Sequence, residues 1–128
     1  MKVLLDTCTL IWATISPKSL TPRARKIVAD KSNSILVSAA SAWEIATKVR
    51  LGRLPGVESL ERDFVDAISR SGYSALAIDT ESALRAGRFI TAHRDPFDRM
   101  IAAQALALDI PVLSPDSQFD KFGVRRMW

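Results

Sequence analysis

Four short apolar runs, each followed by a segment of helical periodicity, constrain this 128-residue chain more than any other feature. They are Lys2–Leu5, closing on Asp6; Ile35–Val37, closing on Ser38; Ala75–Ile78, closing on Asp79; and Ile110–Leu113, leading to Ser114-Pro115-Asp116. Runs this short, with no polar alternation, suit strands covered on both faces, the condition of a parallel sheet. Strands alternating with helices then require a parallel sheet with helices packed on each side. The expected fold is therefore α/β: three layers around a central, mainly parallel sheet of four to five strands. The tail Val124–Trp128 supplies the optional edge strand. Residues 1–128 form a single domain, long enough to bury a core without disulfides or a structural metal.

The helical segments carry recognisable start and stop signals. Asp6-Thr7 opens a short helix through Leu10-Ile11-Trp12-Ala13. Thr21 precedes Pro22 and caps a basic helix that runs to about Lys31. Ser38 to Ser41 leads into a helix with Trp43, Glu44, Ile45 and Val49 that ends near Gly52. Ser59 to Arg70 reads as one amphipathic helix, and Asp79 and Glu81 cap a helix reaching Phe89. Asp95-Pro96 is a strong helix start, with Asp95 as N-cap and Pro96 at the first helical position. Beyond it, Met100–Leu108 is apolar except for Gln104, so this helix is buried on most sides.

Right-handed crossovers put strand C-termini and helix N-termini at one edge of such a sheet. Asp6 and Asp116 follow strands, while Glu44 and Asp98 lie in or near the first turns of helices. All four acids thus fall at the same edge. Three of them also have a local role: Asp6 as a cap, Glu44 paired with Lys48 at i+4, Asp98 reaching back to Asp95 in a capping box. Independent caps need not gather at one edge, however, and clustered carboxylates raise one another's pKa unless a cation relieves them. An all-oxygen set suits Mg²⁺ or Mn²⁺. Zinc is excluded, since histidine and cysteine occur once each. The chain is basic, at net +4, with arginine supplying 12 of its 18 basic residues. Arginine is the side chain best shaped to fork onto phosphate. Acids at one edge of a basic protein form the arrangement that phosphodiester hydrolysis needs. Arg94 and Arg99, beside the acids, are candidates for phosphate contact, with a surface ion pair the slightly favoured alternative for each.

The chain resembles the PIN-domain ribonucleases, specifically the VapC toxins of bacterial toxin–antitoxin pairs. Four segments carry the likeness, in the family's order: Leu4-Leu5-Asp6-Thr7 with Trp12; Ser38-Ala39-Ala40-Ser41-Ala42-Trp43-Glu44-Ile45 with Lys48 and Gly52-Arg53-Leu54; the His93–Ala105 helix; and Leu113-Ser114-Pro115-Asp116 with Phe119. The resemblance implies a PIN-like sandwich and an endoribonuclease that depends on Mg²⁺ or Mn²⁺ and cuts structured RNA (tRNA or rRNA). It also implies Asp6, Glu44, Asp98 and Asp116 as metal-site and catalytic acids. Thr7 and Ser114 become supporting hydroxyls, Ser114 standing where threonine is commoner, and Asp95 a supporting cap. As partners it implies a VapB-like antitoxin that silences the toxin, a homodimer, and a heterotetramer or larger assembly with the antitoxin.

Other chemistries account for less of the chain. A haloacid-dehalogenase phosphotransferase wants a second aspartate where Cys8 stands. A Cys8–His93 hydrolase has no second histidine to test the pairing, and His93 reads better as a loop residue supporting Asp95 or Asp98. A receiver-like module that binds Mg²⁺ without hydrolysis wants an early acidic pair and a lysine after Leu113. With one cysteine, no signal-peptide pattern and no apolar run near the ~20 residues of a membrane span, a cytoplasmic protein is expected.

Overall fold

A computed structural model describes all residues, 1–128. Strand β1 (Lys2–Leu5) alternates its side chains between two cores: Val3 and Leu5 face one, Leu4 the other. The chain continues through α1 (Thr7–Ile15), a short 3₁₀ turn (Pro17–Ser19) and α2 (Pro22–Ala29) to β2 (Ser34–Ser38). Next come α3 (Ala39–Arg50), α4 (Glu58–Arg62), α5 (Phe64–Arg70) and β3 (Ser74–Leu76). Helices α6 (Thr80–Arg88) and α7 (Pro96–Leu108) precede β4 (Val112–Leu113), a 3₁₀ turn (Ser117–Phe122) and β5 (Arg126–Met127).

The sheet order is β3-β2-β1-β4-β5, and every pairing is parallel. The α/β/α sandwich read from the apolar runs, expected with four to five strands, is therefore present with five, β5 forming one edge. On one face, Leu10, Ala24, Ile27, Ile45, Leu60 and Ile68 from α1 to α5 cover Val3, Leu5, Ile35, Val37 and Leu113. On the other, Ile101, Ala102 and Ala105 of α7 meet Leu4, Val112, Phe119 and Phe122. Thr21 caps α2 as its position suggested, accepting the N–H of Ala24, and Ser38, at the end of β2, caps α3 by accepting the N–H of Ala40. Asp79 does the same for α6.

Two boundaries depart from the sequence reading. The segment Ser59–Arg70 is not one helix: it breaks at Asp63 into α4 and α5, each packing its own apolar residue, Leu60 and Ile68, into the core. Strand β3 ends at Leu76, two residues before Ile78, because Ala77 turns its carbonyl to the side-chain amide of Gln104 instead of a neighbouring strand.

Successive strands step outward from β1 through β2 to β3, then the chain crosses back to place β4 on the opposite side of β1. This reversal opens a crevice beyond the C-termini of β1 and β4, where open α/β sheets bind their ligands.

Candidate metal centre

Asp6 follows β1 at the mouth of that crevice. Its Oδ1 accepts the N–H of Thr9 at 2.7 Å, capping α1, and its Oδ2 accepts the Ser114 hydroxyl at 2.5 Å. The Ser114 Oγ in turn accepts the backbone N–H of Asp116 at 3.0 Å, so one hydroxyl links the two loops that flank the crevice. Burial pushes the Asp6 carboxyl above its ordinary range; the hydrogen bonds from Ser114 and Thr9 work against the shift and the charge of Asp116 adds to it. Asp116 is exposed and caps the final 3₁₀ turn through the N–H of Gln118.

Glu44 enters from α3, which starts where β2 ends. It is 6% exposed. One carboxylate oxygen, Oε2, is ion-paired to Lys48 on the next turn, while Oε1 is buried with no hydrogen-bond partner. Thr9 Oγ1 is the other buried side-chain atom in that condition. The Thr7 hydroxyl donates to Ser41 Oγ at 3.0 Å, tying the start of α1 to α3.

Asp98 enters from the first turn of α7. Asp95 Oδ1 accepts the N–H groups of Phe97 and Asp98, so Asp95 is the N-cap. The reciprocal half of a capping box does not form: Asp98 Oδ2 instead meets His93 Nε2 at 2.9 Å, the supporting role read for His93. Burial, more than the neighbouring charges of Asp95 and Glu44, raises the Asp98 carboxyl to about 6, against the His93 hydrogen bond.

The four acids occupy one neighbourhood in two pairs, Asp6 with Asp116 and Glu44 with Asp98, each within electrostatic reach of its fellow. Cys8 lies between the pairs: burial, then repulsion from Asp6, Glu44 and Asp116, pushes its thiol up to about 11. That thiol is therefore no nucleophile at neutral pH. The structure does not, however, bring three such side chains around a single point close enough to hold one ion. Each acid is held by its own partner: Asp6 by Ser114, Glu44 by Lys48, Asp98 by His93, Asp116 by the Gln118 amide. The residues nonetheless suit a hard divalent cation in their chemistry. The donors are all oxygen, and the buried, unpaired Oε1 of Glu44 lacks a positive partner.

One arginine assignment changes. Arg99, read as a candidate for phosphate contact, spends its guanidinium on five backbone carbonyls: Ala86, Gly87, Phe89, Thr91 and His93. It has no donor left for a phosphate. Arg126 pairs with Asp120 at 2.9 Å and so ties β5 to the final 3₁₀ turn. Arg94 is exposed beside Asp95.

Three further residues take their roles from the fold. Trp43 is 58% exposed and sits edge-on to Phe97, at 4.8 Å between centroids, so an aromatic pair joins the two helices that carry Glu44 and Asp98. Buried Gln104 accepts the Ser38 hydroxyl at 2.5 Å and donates to Ala77 at 3.1 Å, pinning the start of α3 and the end of β3 to α7. Its sole sequence signal is being the one polar residue in an apolar helix. Gln104→Leu would strip the buried Ser38 hydroxyl of its acceptor and leave the Ala77 carbonyl without its side-chain donor. It should cost about 2 kcal/mol, read as a lower urea midpoint at unchanged m-value.

Residues 3–124 match the PIN domain family. A 55-residue stretch is 53% identical to Ribonuclease VapC16 of Mycobacterium tuberculosis, spanning 43% of this chain and 39% of that relative. The chain thus covers well under half of that relative's length. Among solved structures, the fold is similar to VapBC2 of Rickettsia felis bound to a promoter DNA fragment (TM-score 0.71, 16% identity, 99% of this chain and 98% of that one). It is similar also to VapBC-1 of nontypeable Haemophilus influenzae (0.68, 18%, covering 99% and 97%). A third is VapC20 of M. tuberculosis, a sarcin–ricin-loop-cleaving toxin (0.63, 17%, covering 95% of each chain). The family match spans nearly the whole sandwich and all four edge acids: the chain belongs to the PIN domain family.

Proposed function

We propose that this protein is a Mg²⁺- or Mn²⁺-dependent endoribonuclease that hydrolyses phosphodiester bonds in structured RNA, tRNA or rRNA, as the toxin of a toxin–antitoxin pair. The observation that carries the reading is the buried, half-satisfied carboxylate of Glu44 beside Asp6, Asp98 and Asp116 at the sheet's switch point, in a chain of net charge +4. Membership of the PIN family and the partial likeness to a VapC ribonuclease support it.

In this reading Asp6, Asp98 and Asp116 hold the cation, and Glu44 completes the set or orients the attacking water. A bound divalent cation supplies Lewis-acid chemistry: it offsets charge on the scissile phosphate and makes a nearby water more acidic. The chain's own part is positioning. Ser114 and the Thr9 amide fix both oxygens of Asp6. Thr7, through Ser41, holds α1 against α3, and Asp95 sets the first turn of α7 from which Asp98 projects. Arg94 meets an RNA phosphate from solvent. A VapB-like antitoxin silences the enzyme, which works as a homodimer in the cytoplasm and joins its antitoxin in a heterotetramer or larger complex.

Incubation of purified protein with total cellular RNA tests the reading. Cleavage should require Mg²⁺ or Mn²⁺, stop with EDTA, and fall more than about a hundredfold in Glu44→Gln, beyond the usual loss for an outer-shell partner. The variant should keep its circular dichroism spectrum. RNA retention without cleavage, indifferent to metal, would instead identify a binding module.

A further inference from the structure

We propose that Lys48 is the built-in counter-ion of the acidic site: its ammonium holds the position on Glu44 that a divalent cation takes, and the cation binds by displacing it. The inference rests on the metal-dependent reading above.

Glu44 is buried, and a buried carboxylate without a partner is costly. Helical geometry supplies one at low expense, because Glu44 and Lys48 stand at i and i+4 with the glutamate N-terminal, the favourable order. The Lys48 ammonium reaches only Oε2, leaving Oε1 buried and bare. A monovalent cation on one oxygen thus answers half of what the carboxylate presents. Asp95 and Asp98 also lie within electrostatic reach of the same ammonium, so it serves more of the site than its own ion pair.

Two other cations near the acids are already committed. Arg99 is bound to five carbonyls and Arg126 to Asp120. Lys48 differs from both. Its side chain is about one-third exposed, at 32%, and its four-carbon stem can swing the ammonium into water without moving the backbone. The chain can thereby fold with its acids compensated before any metal arrives, and metal affinity becomes a competition between ammonium and cation.

The test uses MnCl₂ alone as probe. Lys48→Met, which keeps the stem and removes the charge, should bind Mn²⁺ about tenfold more tightly by calorimetry, within the usual range of coupling between two ligands. It should also melt lower than wild type in EDTA. In the wild type, Mn²⁺ should increase acetylation of Lys48 several-fold by mass spectrometry while the other five lysines stay unchanged. Unchanged or weaker Mn²⁺ binding in Lys48→Met overturns the proposal. If that variant fails to fold, wild-type labelling decides, and Lys48 reactivity indifferent to Mn²⁺ overturns it. A wild-type protein that binds no Mn²⁺ sinks the metal-dependent reading itself. Binding without any response of Lys48 sinks only this inference.

Discussion

Asp98→Asn protein is expected to melt higher than wild type at pH 8 in EDTA while losing more than about a hundredfold in RNA cleavage, beyond the range typical of an outer-shell residue. The stability gain follows from linkage. Burial raises the Asp98 carboxyl from 3.8 to about 6, so the folded state binds its proton more tightly than the unfolded chain does. Its contribution to stability is therefore complete below pH 3.8 and is lost as pH rises through about 6. Above that, wild type keeps a buried negative charge that asparagine does not carry. A shift of this size, in which the compensating bond to His93 is already included, is worth about 3 kcal/mol. The two proteins should converge at pH 4, where both side chains are neutral or nearly so. Melting curves in EDTA at pH 4, 6 and 8 provide the check. An advantage of equal size at all three would show that packing, not the buried charge, separates them.

Arg99→Ala should be among the most damaging substitutions in the chain outside the core, costing about 3 kcal/mol and roughly 10 °C in melting temperature. The guanidinium collects carbonyls from the last turn of α6 and from the connection to α7, at distances between 2.5 and 3.4 Å, and lies 5.8 Å from the centre of the Phe89 ring. The Ala86 and Gly87 carbonyls carry the negative end of the α6 dipole and find no partner within the helix. Arg99→Lys should recover little, because one ammonium offers three donors from a single point where the fork offers five across a plane. Hydrogen exchange localises the effect: amides between Ala86 and His93 should lose protection first. A melting temperature within about 2 °C of wild type would show that the loop holds itself. Cleavage should fall as well, since Arg99 fixes the His93 carbonyl and His93 fixes Asp98.

Both variants bear on residues whose meaning differs between the sequence and the fold. Asp98 stands out in the sequence as a charge at the start of an apolar helix, but its partner His93 is a loop residue whose reach depends on how Arg99 gathers the preceding turn. Arg99 carries no local signal of its role: an arginine one position after an aspartate reads as a surface residue or a phosphate ligand. Only the approach of α6 to α7 makes five carbonyls available to it. The break at Asp63 is similar. The apolar spacing from Leu60 to Ile68 fits one continuous helix, and the choice of two short ones is made by the core each must reach.

The layers, the parallel sheet and the edge at which the acids gather are legible along the chain. These follow from period and polarity, which act over a few residues and are written locally: apolar runs become buried strands, and Thr21, Asp79 and Asp95 start helices. What each acid touches is settled only when the layers pack. Asp6 meets a hydroxyl 108 residues away, and Ser38 meets Gln104 across 66. Contacts of that separation depend on how strands are ordered and how two helices cross. In the same way the fold converted Glu44 and Lys48 from a surface pair into a buried carboxylate with one oxygen answered and one left bare.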